Sequence, residues 1–223
     1  RFLDTAVFIS DEFMKRVQGG QDWYLFDSAE VSDLNELYGE AFSRRYQEYI
    51  ELAEAGKINR FEVVPARQQF CQILSSLQAT GHPWLTWKDA INLRALNNNT
   101  GTIHLSNLCT EITLPEDENN IATCNLVSMN LSAFLNADKT WDWDRLAVSV
   151  RSATRQLDNL IDITNTPVTE AMHSNEQNRA LGLGYMGLSD VLEKLEISYE
   201  SEAAYDLVDQ LTEFISYHAI DES

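Results

Sequence analysis

The seven residues Ser106-Asn107-Leu108-Cys109-Thr110-Glu111-Ile112 decide how this chain reads. Apolar residues alternate with polar ones on both sides of them: Ile103 and Leu105 before, Ile112 and Leu114 after. A period of two predicts half-buried strands on both flanks. A plain strand has no use for Asn107, Cys109 and Glu111 at alternate positions. If the backbone stays extended, the three side chains share one face. An amide, a thiol and a carboxylate converging in a core are costly to bury unless something engages them.

Working outward, Ile121–Leu126 reads as a second strand, joined to the first by the acidic surface loop 116–120. Side by side, the two strands would bring Cys109 and Cys124 towards one pocket. By spacing alone, the alternative of two small buried residues stays open. Upstream, residues 4–9 and Trp23–Phe26 read as strands. Asp11 suits the cap of a helix that stops at Gly19-Gly20. Residues 32–55 read as one long amphipathic helix or two shorter ones. Pro65 suits the first turn of the next helix, which holds Cys71 as a small buried residue and breaks at Thr80–Pro83. Trp84–Trp87 reads as extended, 88–96 as a helix, and 97–101 as a turn. Downstream, 143–162 is a helix with Leu146, Val150, Ala153 and Leu157 on one face. A strand at 179–186 and helices from Leu188 and over 201–220 complete an α/β pattern.

The 223 residues suffice to bury a core. Sixteen Lys and Arg against 35 Asp and Glu give a net charge of −19, which argues against binding nucleic acid or an anionic membrane. No stretch has the ~18 apolar residues of a membrane helix, and no signal peptide is visible. Three cysteines are too few for a disulfide framework, so the expected setting is the reducing cytoplasm. Asn98-Asn99-Thr100 and Asn130-Leu131-Ser132 match glycosylation sequons, read as chance. Both ends read as elements under way, so a piece of a longer chain is expected.

Two other motifs compete. Gly182-Leu183-Gly184-Tyr185-Met186-Gly187 matches a dinucleotide-binding loop after a strand. It lacks the acidic residue about 20 positions on that would meet a ribose, and glycines that let a strand turn into a helix read better. His82, His104, His173 and His218 show no metal-ligand spacing, and no metal is expected.

The sequence around Cys109 resembles the Asn-Leu-Cys-x-Glu signature of ribonucleotide reductase large subunits. Ile121–Leu131 is similar to the family segment that carries a redox cysteine. Phe13–Val17, Leu37–Phe42, Arg179–Leu188 and Phe214–Ile220 resemble the family in the same order, so the likeness spans the chain.

The resemblance implies that residues 1–223 are part of a ten-stranded α/β barrel of two antiparallel half-barrels, with the catalytic cysteine on an inner finger loop. It makes Cys109 the thiyl radical that takes the ribose 3′ hydrogen, Glu111 the base for the 3′-hydroxyl, and Asn107 the residue that orients the ribose. Ser106 and Leu108 would also line the substrate, a ribonucleoside di- or triphosphate. Cys124 would be one of two thiols that supply electrons as the 2′-hydroxyl leaves, its partner lying before residue 1. The radical would come from a di-metal small subunit or from adenosylcobalamin. The reductant would be an external thiol such as thioredoxin or glutaredoxin, and the full-length subunit a homodimer. On this reading the 223 residues alone do not turn over. A piece that works only with other segments of a split reductase, and a dehydrogenase resting on the glycine motif, are the alternatives.

Overall fold

A computed structural model describes residues 3–97 and 99–223. The expected opening strand at Arg1 and Phe2, and the turn and sequon at Asn98, lie partly outside them. The chain divides into two compact units, residues 1–117 and 118–223.

The first unit begins with β1 (Ala6–Ile9), α1 (Asp11–Gly19), β2 (Asp22–Phe26) and a 3₁₀ turn at Leu34–Glu36. It continues with α2 (Gly39–Glu54), β3 (Phe61–Pro65), α3 (Ala66–Thr80), β4 (Trp84–Trp87) and α4 (Lys88–Arg94). β1 and β4 are parallel, with Ala6 opposite Trp84. β2 and β3 are antiparallel, with Asp22 opposite Pro65.

Ser10, rather than Asp11, caps α1, its Oγ accepting from Phe13 N at 3.2 Å. Gly20 closes that helix at φ 64°, a conformation that costs glycine little. Ile9, Phe13, Val17 and Ala66 pack as one cluster, Phe42, Tyr46 and Ile50 as another. Trp23 stacks on Tyr46 at 4.3 Å. The long helix expected over 32–55 is the 3₁₀ turn followed by α2. Pro65 ends β3 and caps α3 instead of entering its first turn. Cys71 is exposed, against the expectation of burial: it lies on the outer side of α3, whose one buried residue is Ala66.

The second unit contains β5 (Asn125–Asn130), a 3₁₀ turn at Leu131–Phe134, α5 (Trp143–Ile163) and α6 (Thr169–Asn178). It ends with β6 (Leu181–Met186), α7 (Leu188–Leu195) and α8 (Glu202–Glu222). β5 and β6 are parallel, with Asn125 opposite Leu181. Met129, Leu131, Leu146, Val150, Val191 and Leu211 pack together in its core.

The architecture is α/β, as expected. Its described strands form three separate pairs, and they do not close into a barrel. The strands expected on either side of Cys109 are not ladders; residues 101–107 and 111–116 have no regular structure. The second strand begins at Asn125, not Ile121. Among the described residues no helix is long and apolar enough to cross a membrane.

Candidate functional site

The loop 103–112 hangs from α4. Lys88, Asp89 and Asn92 on that helix are all buried. Lys88 Nζ donates to Asn35 O at 2.5 Å and lies 5.8 Å from the Phe42 ring centre. Burial holds its ammonium pKa below the usual lysine value, with Asp89 and Glu36 opposing the shift. Asp89 accepts from Asp11 N at 2.5 Å and from Gly39 N at 2.7 Å. Asn92 accepts from Ile103 N at 2.8 Å and donates to Ile103 O at 2.9 Å. Further contacts hold the next residues. Thr102 Oγ1 donates to Glu36 O at 2.9 Å, and the His104 ring meets Asn35 at 3.2 Å and Glu36 at 3.3 Å.

Beyond this anchor the chain makes a closed loop. Ser106 Oγ donates to Ile112 O at 2.7 Å, and Asn107 Oδ1 accepts from Ile112 N at 3.2 Å. Inside that neck, Thr110 N donates to Asn107 O at 3.1 Å, and Thr110 sits at φ 64°. The resulting turn puts Leu108 and Cys109 at its tip. It also removes the strict alternation expected of Asn107, Cys109 and Glu111: a left-handed residue between Cys109 and Glu111 ends the extended backbone on which a shared face depends. The three remain together in one short loop, and all three are exposed. Leu105 and Leu108 beside them are 53% and 65% exposed, unusual for large apolar side chains so close together. A cavity of about 490 Å³ opens beside the turn, lined by Trp87, Ala90, Ile91, Arg94, Thr110 and Thr113.

Cys124 belongs to the second unit, just before β5, and is half-buried. Its neighbours are fixed by Asn175, whose Oδ1 accepts from Thr123 Oγ1 at 2.5 Å and Asn125 Nδ2 at 3.4 Å. Gly182, on β6, passes close beneath. A Cβ there would lie 3.1 Å from Cys124 Sγ and 2.4 Å from a Leu126 methyl. Gly182→Ala is therefore expected to cost about 1–2 kcal/mol, the loss from mild overpacking. Chemical denaturation of the full-length protein would read this, and a neutral result would mean that Cys124 and Leu126 yield freely.

Gly182 and Gly184 lie inside a strand, and only Gly187, at φ 80°, makes the turn into α7. The glycines thus serve strand packing and one turn, which leaves no phosphate-cradling loop in this motif. Among the described residues no group of three or more His, Cys, Asp or Glu gathers as a metal site. The spacing around Cys109 brings out the loop but not its supports. Lys88, Asp89 and Asn92 give no sequence signal beyond a polar start to a helix.

The whole chain, residues 1–223, matches the family model for the ribonucleotide reductase barrel domain. It is 43% identical over 221 residues to the ribonucleoside-diphosphate reductase subunit alpha of Chlamydia muridarum, covering 99% of this chain and 21% of that protein. It is 37% identical over 223 residues to the large subunit of Danio rerio, covering 28% of it. The large chain of Schizosaccharomyces pombe is 36% identical over 219 residues, with 26% of it covered. The chain thus spans between a fifth and a third of the length of these relatives.

Proposed function

Because this chain belongs to the ribonucleotide reductase family through its barrel domain, we propose that it is part of a catalytic large subunit that reduces ribonucleoside diphosphates, with Cys109 as the radical-carrying thiol. The observation that carries this reading is the closed loop, which presents Cys109 at its tip between Asn107 and Glu111. The exposed Leu105 and Leu108 support the further reading that the loop is the inner finger of a ten-stranded barrel, enclosed by chain beyond the part described.

In this reading Cys109 Sγ, as a thiyl radical, takes the 3′ hydrogen of the ribose. An S–H bond forms as the C3′–H bond breaks, and the unpaired electron moves to C3′. Glu111 accepts the proton of the 3′-hydroxyl, within hydrogen-bond reach as a general base must be. The Asn107 carbonyl oxygen is committed to the loop neck, so its amide nitrogen is the group that holds the ribose. The Ser106 hydroxyl is likewise committed to Ile112, so its part is to close the loop. As the 2′-hydroxyl leaves as water, Cys124 and a second cysteine give up two electrons and two protons and close to a disulfide. One proton completes the water, the other joins the electron pair in the C2′–H bond that replaces C2′–O, and Glu111 returns its proton to the 3′ oxygen. The hydrogen on Cys109 then returns to C3′, and an external thiol such as thioredoxin or glutaredoxin reopens the disulfide by exchange. A di-metal small subunit, with adenosylcobalamin the alternative, supplies the radical. The full-length subunit is a homodimer in the cytoplasm.

The test is deoxyribonucleotide formation by the full-length holoenzyme with Glu111→Gln. Glutamine keeps the shape but takes no proton. Turnover is expected to fall about 10²- to 10⁴-fold, the usual contribution of a general base. Undiminished turnover would overturn the assignment.

A further inference from the structure

Asn92 is a polar side chain only 1% exposed, on a helix outside the thiol loop. Its carboxamide accepts from Ile103 N at 2.8 Å and donates to Ile103 O at 2.9 Å and Lys88 O at 3.0 Å. The first two bonds copy, with a side chain, the paired contacts that a neighbouring strand makes in an antiparallel ladder. Ile103 is itself fully buried. Three residues later the chain enters the neck Ser106–Ile112. No ladder pairs residues 101–116, so the direction in which the loop leaves the core is set by side chains. Asn92 grips both backbone polar groups of one residue.

We propose that Asn92 is a positioning residue for Cys109, fixing the register of Ile103 and so the place of the thiol at the loop tip. This rests on the reading of Cys109 as the radical thiol. Hydrogen transfer is sensitive to placement: a displacement of about 1 Å at a reacting group costs on the order of 100-fold in rate. Removing the Asn92 carboxamide frees the Ile103 backbone and leaves its buried N–H without an acceptor and its C=O without a donor. The thiol then spends less time within reach of C3′, and Asn107 and Glu111, carried on the same loop, shift with it.

The experiment compares wild-type, Asn92→Ala and Asn92→Asp holoenzyme. Aspartate keeps the acceptor for Ile103 N and loses the donors. Turnover is measured per folded protein, together with the isotope effect on kcat for a 3′-deuterated ribonucleotide. Turnover of Asn92→Ala is expected to fall at least about tenfold, and the isotope effect to rise, because hydrogen abstraction becomes more rate-limiting. A purely structural residue lowers the folded fraction and leaves the isotope effect where it was. A smaller loss per folded protein, or an unchanged isotope effect, overturns the proposal. If Asn92→Ala does not fold, the same two readings on Asn92→Asp decide. Cys109→Ser is the control that separates the two claims. If it turns over, the radical reading fails; if it is dead while Asn92→Ala runs at full speed, only the positioning role fails.

Discussion

Cys109→Ser in the full-length holoenzyme is expected to abolish deoxyribonucleotide formation while leaving the protein folded. Cys109 is exposed at the tip of a turn, and no described side chain packs it into a core. Substitutions at such positions move stability by only about 0.5 kcal/mol in either direction. Serine has nearly the shape of cysteine, so the neck bonds of Ser106 and Asn107 to Ile112 stay in place. What changes is the atom. An O–H bond is too strong for its oxygen to take up and pass on the radical that sulfur carries, so the 3′ hydrogen is never abstracted. Loss of a group that forms the reactive species removes roughly four orders of magnitude or more of rate. The loss extends to the first turnover, because the radical step precedes oxidation of the dithiol. Loss of Cys124 acts later, on the reducing electrons. Measured turnover within tenfold of wild type, with thermal melting unchanged, would remove Cys109 from the chemistry.

The elements with strong periodicity are legible in the amino-acid sequence. The residues expected on one face of 143–162 include Leu146, Val150 and Leu157, and these are buried in α5. The loop chemistry is legible too, because Asn, Cys and Glu crowd a short segment between apolar flanks. Its geometry is not. Alternation predicts strands, but Thr110 at φ 64° and the Ser106 and Asn107 side-chain bonds turn the chain back on itself. Side-chain bonds that compete with a ladder leave no periodic trace. Helix α6 escapes for a related reason. Its buried residues are Ala171, Ser174 and Asn175, so two of the three positions facing inward are polar. Strand β3 escapes because Phe61 and Val63 are 38% and 42% exposed, and an apolar pair on an open face does not alternate as a core strand does.

Asp89→Ala is expected to be among the most destabilising single changes in the first unit, at about 3–5 kcal/mol. Its carboxylate is 1% exposed and accepts from the first N–H of two helices, Asp11 N at 2.5 Å and Gly39 N at 2.7 Å. Hydrogen bonds to a charged group are worth about 1.5–3 kcal/mol each, and a negative charge at a helix N-terminus is further favoured by the dipole. α2 needs this acceptor most, because its own cap residue, Tyr38, makes no side-chain capping bond. Capping rules that look only at nearby residues assign the start of α1 to Asp11. The structure gives it to Ser10 from nearby and to Asp89 from 78 residues away. Chemical denaturation of the full-length protein separates the two accounts. Asp11→Ala is expected to change stability little, Ser10→Ala to cost about 1 kcal/mol as an ordinary cap, and Asp89→Ala several times that. Asp89→Asn should fall between, since one oxygen can still accept while the amide nitrogen faces a donor. If Asp89→Ala cost no more than Ser10→Ala, the tertiary cap would be idle, and Asp89 on α4 would have no such hold on the starts of α1 and α2.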